Sequence, residues 1–247
     1  MESRVSAALA AAGAVGPYFA WDEVRSPAGW QPFADLADPD VLAGRVAVTR
    51  AALVGRSGPV PERVAASILS LGMMSRLVSA PLAAVALAEV LPVPRPDGTW
   101  WRAVAGGPLP VGWSAVDAVD TRALDDAAVA AAFTEAVVDG LVGPVLAAFR
   151  DRFRLSPKVL TGNVASALGG AVTMLSGTRP ARADRAGRVV ERLLARAPLA
   201  GAASVRRSGP ARWVLERHNC CLYYRIPGGG YCGDCVLLRR GNVGGSR

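Results

Sequence analysis

The amino-acid sequence predicts a mostly α-helical protein of the α+β class, and three observations support this prediction. Long stretches carry apolar residues at helical spacing, a short stretch over residues 98–119 has the composition of β-strands, and all four cysteines lie between Cys220 and Cys235. With 247 residues, of which 51% are hydrophobic, the chain is long enough to bury a core. We therefore expect a helical domain with a small β-hairpin and an irregular, cysteine-rich C-terminal segment.

The first half of the chain predicts helices. Residues 1–24 resemble a signal peptide only superficially, because Glu2 is acidic and the apolar run is mostly alanine and glycine, so we expect a helix there. Asp38 as N-cap and Pro39 at the first helical position predict the start of a second helix. Residues 61–90 predict two helical segments that break or bend near Pro81. We expect no transmembrane segment, because the apolar stretches are too short and interrupted, and therefore a cytoplasmic protein.

Helical patterns return after the predicted hairpin. Residues 120–153 predict a helix that bends near Gly140, Gly143 and Pro144, and another helix is expected to begin near Asn163. Its small residues would allow another backbone to lie close; they are Ala165, Ala167, Gly169 and Gly170.

A last helix and the cysteine tail complete the predicted organisation. Residues 182–199 predict an amphipathic helix with Val189 and Leu193 on its apolar side. We divide the chain into a mostly helical part, 1–210, which would offer a substrate-binding surface, and a C-terminal segment, 211–247, that packs with it as one unit.

The charge distribution restricts the kinds of partner. The net charge is +8, and Lys158 is the only lysine among 28 basic residues. Such a surface attracts anions. Because the arginines are dispersed and no nucleic-acid-binding motif is present, we expect no nucleic-acid partner. No P-loop or dinucleotide-binding fingerprint occurs, so we expect electrons for any redox chemistry to come from a partner protein.

The cysteines follow the pattern C-C-x10-C-x2-C. Four soft thiolates close together favour zinc or an iron–sulfur cluster. The two residues between Cys232 and Cys235 let both sulfurs turn towards one metal centre, and the glycines at 228–230 let the loop fold back. Adjacent Cys220 and Cys221 differ from a zinc knuckle and suit a larger, binuclear centre. The spacing thus favours [2Fe–2S], and structural zinc remains an alternative; disulfides suit a large cytoplasmic chain poorly.

The cysteine pattern resembles that of the FhuF-type ferric-siderophore reductases, with the match on Cys220, Cys221, Cys232 and Cys235. The stretch 160–168, LTGNVASAL, also resembles an asparagine-containing helix upstream of the cluster in that family. The resemblance implies that the four cysteines bind a [2Fe–2S] cluster near the C-terminus. It further implies an oxidoreductase that reduces a ferric siderophore by one electron and releases Fe(II). The expected partners are the ferric siderophore and an electron-donor protein such as a ferredoxin or ferredoxin reductase.

Four arginines flank the cysteines: Arg217, Arg225, Arg239 and Arg240. Two interpretations stay open: they attract an anionic chelate or an acidic electron donor and offset the negative charge of the cluster, or they are ordinary solvated arginines. His218 is expected either to ligate or tune the centre or simply to form hydrogen bonds. Two alternative functions stay open: an iron–sulfur redox or iron sensor, and a structural zinc module in a basic nucleic-acid-binding protein.

Overall fold

The computed structural model describes residues 2–238 and confirms the mostly α-helical fold with small sheets, at 58% helix and 14% strand. The α-helices are α1 (Glu2–Gly13), α2 (Pro39–Ser57), α3 (Glu62–Ala88), α4 (Asp126–Phe133), α5 (Gly143–Phe153), α6 (Pro157–Thr178) and α7 (Pro180–Leu194). A π-helix (Thr134–Val142) joins α4 to α5, and short 3₁₀ turns cover Pro17–Phe19, Phe33–Ala37 and Tyr223–Arg225.

The described residues form three small β-sheets. One sheet has the strand order β1-β5-β4-β2, in which β1 and β5 are parallel and the other neighbours antiparallel; β3 pairs with β6 and β7 with β8, both antiparallel. The β4–β5 pair confirms the predicted tryptophan-containing hairpin. The strands are β1 (Asp22–Glu23), β2 (Gln31–Pro32), β3 (Val90–Pro94), β4 (Thr99–Trp101), β5 (Val111–Trp113), β6 (Val116–Asp120), β7 (Ala203–Gly209) and β8 (Arg212–Arg217).

Helix α3 lies at the centre of the fold and packs against α1, α2 and α6. It continues through Pro81, so the predicted break there is wrong. Proline removes one helical hydrogen bond and costs about 3 kcal/mol in an isolated helix. Pro81 is buried together with its neighbours Ala80 and Leu82, and this packing offsets the cost.

Among residues 2–238, three helical stretches are long and apolar enough to cross a membrane, judged by length and composition alone: Glu62–Ala88, Asp126–Phe153 and Pro157–Thr178. The expectation that apolar stretches are too short is therefore wrong for these elements, because their helices run on without interruption. Most of the apolar window of α3 (72%) and of α6 (67%) is buried inside the structure. Burial among the other helices accounts for the apolar composition of these two helices.

Helix starts follow local capping chemistry. The Asp38 side chain accepts hydrogen bonds from the backbone N–H groups of Asp40 (2.8 Å) and Val41 (3.1 Å), which confirms the predicted start of α2. Helix α6 begins at Pro157, with Ser156 as N-cap, and not near Asn163 as the sequence predicted. The Ser-Pro pair is a standard helix start that the prediction overlooked.

The β7–β8 hairpin connects the helical core to the cysteine segment, and the sequence analysis did not predict it. The hairpin packs closely against α6 at Gly169 and against α7 at Gly187, where a side chain would not fit. A Cβ added at Gly169 would lie 2.7 Å from the Leu215 Cβ, and a Cβ added at Gly187 would overlap the Trp213 ring. The predicted division at residues 210 and 211 falls in the turn of this hairpin.

Replacing Gly169 with alanine should loosen the hairpin. We expect Gly169→Ala to lower the free energy of unfolding by about 1–3 kcal/mol, because the added methyl group overpacks against Leu215. The neighbouring Gly170 is a matched control: nothing lies within 4 Å of a Cβ there, so Gly170→Ala should stabilise the helix by roughly 0.5–1 kcal/mol. Denaturant unfolding of both variants measures the difference, and equal stabilities would contradict the close packing of β8 on α6.

Candidate metal centre

The four cysteines lie directly after β8, between the helical core and the surface. Cys221 and Cys235 are buried, whereas Cys220 and Cys232 are half-buried. The sulfurs of Cys221 and Cys232 are 3.4 Å apart. Cysteines from the two halves of the motif are therefore brought together.

The backbone turns sharply on both sides of the loop. Leu222, which follows the adjacent cysteines, has a left-handed conformation with φ = 69°, and its N–H donates to the Cys220 sulfur at 3.3 Å. Gly228 and Gly230 have φ values of 70° and 71°, which favour glycine. The glycine-rich stretch thus reverses the chain, as the sequence predicted, and returns it to Cys232.

Buried polar groups of two helices hold Cys221, the second residue of the first cysteine pair. The Ser67 hydroxyl of α3 donates to the Cys221 carbonyl at 2.7 Å, and the Asn163 amide of α6 donates to the Ser67 carbonyl at 3.0 Å. Ser67 and Asn163 are both fully buried. Since hydrogen bonds between buried groups are costly to break, this pair fixes Cys221 against the core.

Arg217, at the end of β8, is a buried cation without an anionic partner among residues 2–238. Its side chain is 2% exposed, and one terminal nitrogen donates to the side-chain oxygens of Asn163 (3.0 Å) and Asn219 (3.3 Å). The other two nitrogens, Nε and Nη1, have no hydrogen-bond partner in the part of the chain that the structure describes. An arginine stays charged at physiological pH, so burial without a counter-charge costs several kcal/mol, an order-of-magnitude figure.

The cysteine thiols shift one another's pKa values, and the charge of Arg217 lowers the pKa of Cys220 and Cys221. The hydrogen bond with Cys232 lowers the pKa of the Cys221 thiol to about 6, against the opposing effect of burial and with help from the Tyr223 N–H and the charge of Arg217. The same hydrogen bond, together with burial, raises the pKa of the Cys232 thiol. Burial is the main cause that raises the pKa of Cys220. Metal binding to this set must therefore release protons.

The second half of the motif is attached to helix α6. The Ser166 hydroxyl donates to the Asp234 carboxylate at 2.6 Å, and the Cys235 N–H donates to the Cys232 carbonyl at 3.2 Å. These contacts shape the tight loop that the spacing C-x2-C predicted. Asp234 lies between the two cysteines and thereby ties both of them to α6.

The remaining predicted residues lie around the centre or outside the described part. Arg225 is exposed and donates to the Tyr224 hydroxyl at 3.2 Å. Arg239 and Arg240 lie outside the described residues. The His218 ring is within hydrogen-bond distance of the Gly201 carbonyl (3.1 Å) and the Ser204 hydroxyl (3.3 Å), which agrees with the hydrogen-bonding alternative.

The polar residues that support the centre were not predicted from the sequence. Ser67 lies 96 positions before Asn163, its buried partner, and nothing in the local sequence connects the two. Asp234 was identifiable as the only charged residue inside the C-x2-C loop, but its partner Ser166 was not. The burial of Arg217 was also missed, since an arginine at the end of a strand is usually exposed.

These residues fit a [2Fe–2S] cluster. Two thiolates about 2.3 Å from one tetrahedral metal lie roughly 3.8 Å apart, close to the Cys221–Cys232 separation. An oxidised cluster with four thiolate ligands carries a double negative charge, which the unpartnered N–H groups of Arg217 can offset. Within residues 2–238, no group of three or more His, Cys, Asp or Glu side chains is arranged to hold a metal ion.

Replacing Cys232 with serine should remove or strongly alter the visible absorption of the purified protein. The hydroxyl is a hard, weakly acidic ligand in place of a soft thiolate, so we expect loss of most of the bound iron and inorganic sulfide. Anaerobic purification followed by iron, sulfide and absorption measurements tests this, with far-ultraviolet circular dichroism to show that the helices remain. Unchanged absorption and metal content would exclude Cys232 as a ligand.

Removing the charge of Arg217 should weaken cluster binding. In Arg217→Met we expect the rise in thermal midpoint on cluster loading to be smaller than in the wild type, because the anionic centre loses its buried counter-charge. The reduction potential should fall by about 60 mV for each 1.4 kcal/mol of stabilisation that the reduced state loses relative to the oxidised state.

Two further variants sharpen the Arg217 test. Arg217→Lys keeps the charge and should restore part of the potential, whereas Arg225→Met removes an exposed arginine and should change both quantities little. Equal potentials in Arg217→Met and the wild type would show that Arg217 does not act on the centre.

A comparison with known protein families supports an iron–sulfur centre in this segment. Residues 217–237 match the family described as FhuF 2Fe-2S C-terminal domain. No curated protein matches the chain significantly. The C-terminal segment is therefore similar to the FhuF 2Fe-2S C-terminal domain, as the cysteine pattern predicted, and its cofactor is a [2Fe–2S] cluster.

Proposed function

We propose that the protein reduces a ferric siderophore by one electron and thereby releases Fe(II). The main supporting observation is the position of the centre at the boundary between core and surface. Cys221 and Cys235 are buried and anchored, while Cys220 and Cys232 are half-buried. A centre that is fixed on one side and close to solvent on the other suits electron exchange with transiently bound partners.

The side chains have defined tasks in this proposal. The four cysteines, Cys220, Cys221, Cys232 and Cys235, would hold the cluster, which supplies single electrons at low potential when bound. Arg217 would keep a positive charge beside it, which favours the more negative, reduced state. Ser67 fixes the backbone of Cys221 through its hydrogen bond, so that the ligand geometry changes little on electron transfer.

The iron chemistry explains why one electron is sufficient. Siderophores hold Fe(III) through hard, anionic oxygens, and the same oxygens hold the larger, less charged Fe(II) weakly. The centre held by the four cysteines would supply one electron to the Fe(III) of the substrate; the freed ligand oxygens would take up protons from water, and Fe(II) would leave. A partner protein, such as a ferredoxin or ferredoxin reductase, must return one electron before the next cycle.

The surface near the centre could receive that electron donor. Tyr224 is 42% exposed, Tyr231 is 56% exposed, and the Arg225 guanidinium lies 5.8 Å from the Tyr224 ring centre. An exposed cation beside exposed aromatic rings suits an acidic protein partner. We place the reaction in the cytoplasm, because a low-potential donor needs a reducing compartment.

The two alternative functions receive less support. A structural zinc module in a nucleic-acid-binding protein would use the same four cysteines, but their segment is similar to a 2Fe–2S domain. A redox or iron sensor would share the centre and differ in having no substrate. Turnover of a ferric chelate distinguishes a reductase from a sensor.

A single-turnover experiment tests the proposal. We expect anaerobically reduced protein to release close to one Fe(II) per cluster from a ferric trihydroxamate, measured with a coloured ferrous chelator, while the cluster absorption returns to the oxidised form. Cluster-depleted Cys232→Ser protein is the control for direct reduction by residual reductant. Reduced protein that ferricyanide oxidises, but that releases no Fe(II) from ferric chelates, would contradict the reductase and favour the sensor.

A further inference from the structure

A groove runs between helix α6 and the β7–β8 hairpin and ends at the cysteine loop. Its volume is about 840 Å³, which lies in the range of small-molecule binding sites. Gly170 and Thr173 of α6 lie on one wall, Arg212 and Leu215 of the hairpin on the other, and Asp234 at one end. This groove is separate from the buried polar contacts that hold Cys221.

The end of the groove is part of the candidate metal centre. Gly233 and Asp234 line it, and these two residues separate Cys232 from Cys235. Apart from its chain neighbours, no described residue has an atom within 4 Å of a Cβ placed on Gly233, so the described residues leave this stretch of the loop open. A molecule in the groove would therefore contact the loop that carries two of the four cysteines.

The walls of the groove combine polar and apolar groups with little net charge. Arg212 is exposed and has no ion-pair or hydrogen-bond partner among residues 2–238, and Asp234 supplies the one carboxylate in the lining. Met174, which is 46% exposed, and Leu215 add apolar surface. Such a lining fits a compact, oxygen-rich molecule of low net charge that also has an apolar side.

The groove is open because α6 presents small residues there. Gly170 and Gly177 are both exposed, and no atom lies within 4 Å of a Cβ at either position. A large side chain at Gly170 would extend into the groove without disturbing the helix core. The groove can therefore be filled by a single substitution.

We propose that this groove binds the ferric chelate, an inference that rests on the proposed reductase function. The bound complex would lie against Gly233 and Asp234, with its Fe(III) close enough to the cysteine sulfurs to accept one electron. Arg212 would contact the ligand oxygens, and Met174 and Leu215 its carbon skeleton. No bond to the protein forms or breaks; the freed siderophore and Fe(II) leave by the open side.

The test fills the groove and measures binding separately from electron transfer. Gly170→Trp and Thr173→Trp place an indole in the groove, and Gly44→Trp is a matched control, because Gly44 is also an exposed helical glycine with nothing within 4 Å of a Cβ. Titration calorimetry with a gallium(III) trihydroxamate measures binding, since gallium(III) has the charge of Fe(III) but is not reduced. Stopped-flow absorption measures cluster oxidation by the ferric trihydroxamate and by ferricyanide.

We expect both groove variants to bind the gallium complex at least tenfold more weakly and to reduce the ferric complex at least tenfold more slowly. Ferricyanide oxidation, the cluster spectrum and the Gly44→Trp control should remain as in the wild type. If both groove variants bind the gallium complex and reduce the ferric complex like the wild type, the groove is not the binding site. That result would leave the proposed reductase function unaffected. If wild-type protein reacts with ferricyanide but neither binds the gallium complex nor reduces the ferric one, the proposed function itself fails.

Discussion

The buried guanidinium of Arg217 is the main physical constraint on the cysteine segment. It lies at the end of β8, three residues before the first cysteine, with hydrogen bonds to two asparagine side chains and two nitrogens without partners in the described chain. A cation in this position is tolerable only if an anion accompanies it. A bound dianionic cluster would supply that charge, and folding of the cysteine segment and cofactor binding would then depend on each other.

The scaffold explains how a short motif becomes a defined centre. Helices α3 and α6 hold Cys221 through Ser67 and Asn163. Helix α6 also holds the loop between Cys232 and Cys235 through the contact of Ser166 with Asp234. The same helix forms one wall of the groove. One rigid element therefore positions the sulfur ligands and the proposed substrate site relative to each other, which is the arrangement that electron transfer over short distances needs.

Sequence reasoning identified the features whose chemistry is local. The cysteine pattern indicated a binuclear centre because ligand spacing is a property of a few neighbouring residues, and the family comparison supports it. Pro81 misled the helix prediction because its cost is offset by neighbours that are distant in sequence. The contact between Ser67 and Asn163 was not predictable, since it exists only when α3 and α6 pack. The β7–β8 hairpin was missed because its strands are rich in arginine, although Gly209 and Pro210 mark its turn.

The half-burial of Cys220 and Cys232 exposes the centre to oxidants as well as to redox partners. The half-buried face, which we propose a chelate approaches, would also admit dioxygen and hydrogen peroxide, which attack exposed thiolates and sulfides. We therefore expect a centre placed in this way to be accessible to electron-transfer partners and sensitive to air. Its working life would then be set by the oxygen tension around it, more than by the thermal stability of its helices.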